Sequence, residues 1–295
     1  MNSNPQRSYD SLIVVPRTFT CIGVVPVADR IILDLEGSQS KSASILLVTV
    51  WELGEAAGPL LIAPLSEIYG RYSVFNVANI IFIIGVVLAA VSETASLFIF
   101  SRFLTGFAVA SNVLNPAIIG DIYSSEQRGS GMSLVMLAPL LGGAIGPAIS
   151  GAIAETFGWR MILWISAVIA VVCEIFFFTM LRETYKVPIL QRRAARLRKE
   201  TNDKSLKCAW EPDTEGSAMS WLALRAAFSR PVVVLLDSSV LKLLSIYGGL
   251  VFSFNYIMAT TLPTILKEVY DFSPTLIGLA FLAFSTYLYP SLVLH

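Results

Sequence analysis

The sequence predicts an all-α, multi-pass membrane protein, and three observations carry that prediction. Of 295 residues, 55% are hydrophobic and only 14% charged, and the mean hydropathy is +0.69; this is too little charge to cover a soluble globule of such length. Apolar runs of about 20 residues, enough helix to cross roughly 30 Å of hydrocarbon, recur along the chain. Finally, 11 of the 21 Lys and Arg residues lie between Arg182 and Arg230, so one segment belongs in water while its flanks belong in lipid.

Taken in order, the first candidate span is Leu12 to Ala28, interrupted by Arg17 and two prolines. Five runs follow in tandem: Ser44 to Leu65, Val74 to Ala95, Leu97 to Ile119, Met132 to Ile153 and Met161 to Leu181. After the basic segment come Ser239 to Leu266 and Thr275 to Leu294, giving eight spans. Three regions result: residues 1–181 form a six-helix half with an atypical first helix, 182–237 a basic linker, and 238–295 the start of a second half. The run "QRRAARLRKE" is the strongest positive-inside signal and places the linker in the cytoplasm. By alternation the "EIYGRY" and "DIYSSEQRGSG" turns and the amino terminus are cytoplasmic, and the "SETAS" and "ETFGWR" turns face outward.

Other residue types narrow the chemistry. The formal net charge is zero, so no global field points to a nucleic-acid partner. The single histidine, His295, and the scattered Cys21, Cys173 and Cys208 argue against a histidine-based hydrolase, a metal centre or a disulfide framework. Cys173 lies in an apolar run, where it reads as a small buried hydrophobe. The amino terminus has no clean signal-peptide pattern.

The stretch "GPLLIAPLSEIYGRYSVF", Gly58 to Phe75, passes from apolar to polar and back, as a short turn at a membrane surface would. Gly58 and Pro59 let helices approach or bend, Pro64 can end or kink the span, and Gly70 permits a tight turn. Glu67 and Arg71, four residues apart, can pair with each other or bind the ends of neighbouring helices.

These residues carry a resemblance. "GPLLIAPLSEIYGR" resembles the loop signature between helices two and three of the major facilitator superfamily, in its fungal form. "SRFLTGF" resembles the fourth-helix signature, with Arg102 and Gly106; "IIGDIYSSEQRG", with Asp121 and Arg128, resembles the next cytoplasmic loop. "LGGAIGPAISG" resembles the fifth-helix signature of proton-coupled antiporters, and "LRETY" the close of the sixth helix. In this order, between Ser44 and Ser285, the stretches resemble the twelve-helix drug:proton antiporters of fungi, including polyamine and multidrug exporters.

The resemblance implies a helical bundle with a six-helix first half and the first two helices of the second, transporting small organic or cationic compounds by alternating access. It also implies a proton gradient as the energy source with no bound cofactor, a monomer in the lipid bilayer, and the plasma membrane or the vacuolar membrane as its location. Because four spans of the twelve are missing, the alternative expectation is a truncated fragment that inserts without transporting. A membrane-embedded enzyme would need a catalytic constellation, which the sequence does not display.

Individual residues carry separate expectations. Gly142, Gly146 and Ser150 share one face of the fifth span, with Pro147 and Gly151 beside them; the stripe permits close packing and Pro147 encourages a bend. Arg102 lies about six residues into its span and is expected to pair or face a watery cavity; the resemblance implies that it couples proton to substrate movement. Glu52, Glu55 and Glu174 are carboxylates within apolar runs and candidates for carrying a proton, Glu55 standing where the resembled family has an uncharged residue. Phe252, Asn255 and Tyr256 are candidates for lining a substrate cavity, the Asn255 amide because hydrocarbon makes it seek a partner.

Overall fold

The computed structural model describes residues 23–37, 41–180, 183, 185–201, 221–273 and 275–280. Most of the first predicted span lies outside them, as do residues 202–220 of the linker and 281–294 of the last span. Regular structure among the described residues is helical throughout: a 3-10 turn at Val25–Val27, then α1 (Ala28–Glu36), α2 (Lys41–Tyr69), α3 (Arg71–Ala90) and α4 (Ala95–Val109). A 3-10 turn (Ala110–Leu114) leads to α5 (Asn115–Ile122), followed by α6 (Arg128–Thr156), α7 (Trp159–Met180), α8 (Lys186–Thr201), α9 (Trp221–Asp237) and α10 (Ser239–Tyr270). Residues 275–280 are helical again.

By length and composition, five spans among the described residues can cross a membrane: Ser42–Tyr69, Arg71–Ala90, Ala95–Asp121, Trp159–Thr179 and Ser239–Tyr270. They coincide with predicted spans, and α6 supplies a 29-residue helix where another was expected. Three local differences have physical reasons. The span from Ala95 tightens into a 3-10 turn before Pro116, whose ring cannot continue the α-helical hydrogen-bond ladder from within. The first predicted span ends at Ala28, where a short helix over residues 28–36 begins instead, ended by Gly37 in the left-handed conformation. The linker is not featureless, since α8 and α9 occupy most of its described part.

The bundle is densest where α2 crosses α4. A Cβ on Gly54 would fall 2.7 Å from the Phe107 backbone nitrogen, and one on Gly106 would overlap the Trp51 carbonyl. The two backbones therefore touch, as small residues allow in lipid, where apolar burial cannot drive helices together. Glu55 leaves this packing undisturbed because it lies off the face that carries Gly54 and Gly58. On the other side, α3 meets α7 through stacked Phe75 and Phe177 rings, 4.7 Å between centroids. The Tyr72 hydroxyl donates to the Phe178 carbonyl at 3.0 Å, and the Asn79 amide to the Glu174 carboxylate. Cys173 packs beside the Phe75 and Phe177 cluster, as a small apolar side chain would.

At the end marked by Gly158, polar contacts bind α1 to α7 and α6, and α7 to the turn after α3. The Trp159 indole donates to Asp34 Oδ2 at 2.9 Å, Arg30 to the Ala154 carbonyl at 3.1 Å, and Arg160 to the Ser92 carbonyl at 3.1 Å. The carbonyls at the end of α6 gain a cation where the helix dipole favours one.

Candidate functional site

Two charged clusters interrupt the apolar bundle. The first closes the end at which α2 meets α3. α2 stops at Tyr69 because Gly70 takes φ 93°, and Arg71 then opens α3. The turn removes Arg71 from the axis that carries Glu67, so the four-residue spacing does not yield their mutual pair. Arg71 reaches a neighbouring helix end instead: its Nε lies 3.1 Å from Asp121 Oδ2. Its backbone N–H donates to Glu183 Oε1 at 3.1 Å, and the Tyr185 N–H donates to the same oxygen at 3.0 Å. Glu183 thus caps the first turn of α3, where bare N–H groups and the helix dipole favour an anion. A Cβ on Gly70 would collide with that carboxylate, so both space and backbone conformation require glycine.

The Arg71 guanidinium also lies over the Tyr185 ring, 5.2 Å from its centroid. Burial raises the Tyr185 phenol above its ordinary pKa, the charges of Glu67 and Asp121 push the same way, and Arg71 opposes them. Glu67 itself is exposed. Arg128 is exposed too and turns back on its own loop, donating to the Gly120 carbonyl at 3.0 Å and the Tyr123 carbonyl at 3.3 Å. Glu67, Gly70, Arg71 and Asp121 therefore lie near one another at this end, while Arg128 caps α5 beside them. Glu183 and Tyr185 were missed. Glu183 stands in the "LRETY" stretch, an acid just past an apolar span at the same end as Arg71, and that position was the available signal.

The second cluster lies inside the spans. Arg102 is only 1% exposed, and its guanidinium sits 5.9 Å from the centroid of the Trp51 ring. The Glu52 carboxylate of α2 lies within electrostatic reach of this guanidinium and close to the Tyr256 side chain of α10. Glu55, on the same helix, repels Glu52. At 1.5 Å per residue Glu52 is about 15 Å along α2 from Ser42, deep within the span. Three helices distant in sequence, α2, α4 and α10, thus meet at one carboxylate. Tyr256 belongs to this cluster; Phe252 is 67% exposed, and the Asn255 side chain lies outside the described set. Glu174 is elsewhere, at the α3–α7 interface with Asn79.

The small-residue stripe of α6 is buried at Gly142, Gly146, Pro147, Ser150 and Gly151. The helix is continuous through Pro147. The stripe receives two neighbours: a Cβ on Gly23 would meet the Ser150 hydroxyl, and one on Gly278 would fall 2.7 Å from the Pro147 carbonyl carbon. Thr275, at the start of the helical residues 275–280, hydrogen-bonds Glu155 at the end of α6.

A cleft of about 680 Å³ opens between α1, the start of α2 and the last turns of α10. Arg30 and Lys267 stand among its lining residues, together with Val48 and Thr260. Val48 is four residues from Glu52 and Thr260 four from Tyr256, one helical turn in each case and on the same faces.

Long apolar helices packed backbone to backbone around a buried guanidinium–carboxylate cluster define a polytopic helical membrane protein. Residues 21–293 match the Major Facilitator Superfamily. The chain is 35% identical over 259 residues to "Efflux pump radE" of Floropilus chiversii, covering 88% of this chain and 47% of that protein. It is 33% identical to "MFS transporter prlG" of Fungal sp. (strain NRRL 50135), covering 83% of this chain and 52% of that one. The chain spans about half the length of the curated relatives it matches. Among solved structures, a bacterial homologue of the human lysosomal transporter Spinster, inward-facing and unoccupied, superposes with a TM-score of 0.69 at 16% identity, over 95% of this chain and 59% of that one. A D-xylose-proton symporter gives 0.63 at 16% identity, over 95% and 65%. The chain belongs to the major facilitator superfamily.

Proposed function

We propose that this chain supplies the first half, and the beginning of the second, of a proton-coupled exporter of small organic, often cationic molecules working by alternating access. The observation that carries the reading is Arg102, a guanidinium 1% exposed within an apolar span and acting on Glu52. An intramembrane charge is costly and persists where it serves a pathway or a relay. Glu67, Gly70, Arg71 and Asp121 form the latch that holds one end of the half together, with Arg128 beside it. Gly142, Gly146, Pro147 and Gly151 form the surface over which α6 bends and slides. Tyr256, Asn255 and Phe252 lie on the helix that faces the substrate. The Gly70 end is cytoplasmic, as is the amino terminus; the protein works as a monomer in the plasma membrane or, as the second candidate, the vacuolar membrane.

One relative is named as an efflux pump, and that name supports export. The chain covers 47% of that pump, so transport is proposed for the whole protein of which these residues form part. The experiment measures substrate flux into everted vesicles under an imposed pH gradient, with the 295-residue chain beside a version extended by a relative's second half. Arg102→Ala is expected to abolish driven flux in the active version while insertion is retained, since removing a buried charge lowers the insertion cost. Undiminished flux in that variant would sink the coupling role.

A further inference from the structure

We propose that α8 is an interfacial helix that binds the anionic phospholipid headgroups of the bilayer the chain spans, in the leaflet at the Gly70 end. Naming that leaflet cytoplasmic rests on the reading given above; the lipid chemistry does not.

The face of the helix suits such a surface. From Lys186 to Thr201 it has six cationic residues, Lys186, Arg192, Arg193, Arg196, Arg198 and Lys199, against one anionic residue, Glu200. Val187, Leu190, Ala194 and Leu197 recur at intervals of three and four residues and so form one narrow apolar stripe. Leu190 and Leu197 on that stripe are 39% and 41% exposed, so the bundle leaves it open there. Arg193 borders the stripe on one side, three residues from Leu190 and four from Leu197, and Arg198 borders it on the other, four residues from Ala194. Arg196 and Lys199 lie on the opposite face. An apolar strip edged by cations is complementary to acyl chains topped by phosphates, and a cluster of basic residues beside a span is drawn to an anionic leaflet.

The position of the helix brings it to that surface. Glu183 Oε1 accepts the backbone N–H groups of Arg71 and Tyr185 at 3.1 and 3.0 Å, and the Arg71 guanidinium lies over the Tyr185 ring. One span ends at Tyr69 and the next begins at Arg71, so these contacts sit where the spans meet water. Lys186 follows Tyr185 directly, and Pro188 is buried, whereas residues 193, 195–197 and 199–201 are exposed. α8 therefore leaves the bundle at headgroup level. Its meeting with lipid is intramolecular and loses no translational freedom, so the preference of roughly fivefold per cation near an anionic surface is enough to hold it.

The test places the 295-residue chain in nanodiscs of phosphatidylcholine, alone or with about 30% phosphatidylserine, and follows amide exchange of residues 189–201, with residues 74–88 of α3 as the folding control. Exchange over 189–201 is expected to slow at least about tenfold in the anionic discs. The slowing is expected to vanish in about 0.5 M salt, where the Debye length falls to about 4 Å. Arg193→Gln with Arg198→Gln is expected to remove most of it, Leu190→Ser with Leu197→Ser to weaken it, and Arg196→Gln with Lys199→Gln, on the far face, to leave most of it. Equal exchange in the two kinds of disc, with α3 still protected, would overturn the proposal and leave the stripe to a protein partner. Slowing that the Arg193 and Arg198 pair does not reduce would overturn the assigned face. Ala195→Cys, in a chain whose Cys21, Cys173 and Cys208 are replaced by Ser, is expected to react with an impermeant maleimide only after cells are permeabilised. Labelling of intact cells would sink the cytoplasmic reading, while protection in anionic discs would still support the lipid site.

Discussion

The two charged clusters have similar composition and opposite surroundings. At the Gly70 end one arginine, Arg71, faces Asp121 and Glu183 with Glu67 nearby. In mid-span one arginine, Arg102, acts on Glu52 with Glu55 nearby. Each has more negative charge than positive. The Gly70 cluster lies at a helix end, where Glu67 is exposed and a helix N-terminus favours the Glu183 charge. The mid-span cluster has no such outlet. A similar charge imbalance therefore sits at a helix end at one level and within the spans at the other. The solvent distinguishes them, not the residues.

The largest expected effect breaks both clusters together. Each hangs from α2, and α2 is positioned by backbone contact with α4. Gly106→Leu places a branched side chain where even a Cβ overlaps the Trp51 carbonyl. Forcing the helices apart is expected to cost about 3 kcal/mol or more, seen as loss of a monodisperse species in detergent and of any cooperative thermal transition. A Leu variant that melts like wild type would show that the two helices are not held by this contact.

A smaller change separates the clusters. Arg71→Ala takes the Arg71 guanidinium away from Asp121, 19% exposed in its side chain, while the mid-span cluster is untouched. Between the small value of an exposed pair and the large penalty of a buried one, the expected loss is about 2 kcal/mol, measured as a lower Tm of the purified chain. Arg71→Lys is expected to recover only part, because a point charge cannot lie flat over Tyr185 while it bonds Asp121. An unchanged Tm in Arg71→Ala would mean that the latch contributes nothing.

The same comparison explains what could be read from sequence. The Gly70 cluster was largely legible because it is built from short stretches that announce themselves: a glycine at a turn, charges bracketing it, and an acid and a base closing the next loop. What was lost was the partner. The Glu67–Arg71 spacing presupposes one continuous helix, and Gly70 interrupts it. The spans themselves were legible from apolar length, since hydrocarbon demands about 20 residues of helix. The 3-10 turn before Pro116 and the short helix α1 were not, because both are decided by packing and capping over a few residues. The mid-span cluster was half legible. Arg102 and Glu52 stand out as charges in apolar runs, but nothing in a linear pattern joins Glu52 to Tyr256, 204 positions later; only the approach of α10 to α2 does that.

The smallest expected effect sharpens the comparison through pH. Tyr185 belongs to the Gly70 cluster, and burial first, then Glu67 and Asp121, raise its phenol above the ordinary value of 10.0, with Arg71 pulling the other way. The folded chain therefore keeps a proton that the unfolded chain gives up. Below the ordinary value both states hold it, and the group has no effect on stability. As pH rises through about 10 the unfolded state is deprotonated first, so stability declines from there until the folded phenol also ionises. The Tm of the wild-type chain is thus expected to carry a Tyr185 contribution that falls only above about pH 10. Tyr185→Phe is expected to flatten that part of the profile, at the cost of some packing over Arg71 at every pH. Arg71→Ala is expected to steepen it, because the one charge favouring the phenolate is gone. Identical alkaline profiles for wild type and Tyr185→Phe would show that the phenol is solvated as it is in the unfolded chain, and that the latch ends at Glu183.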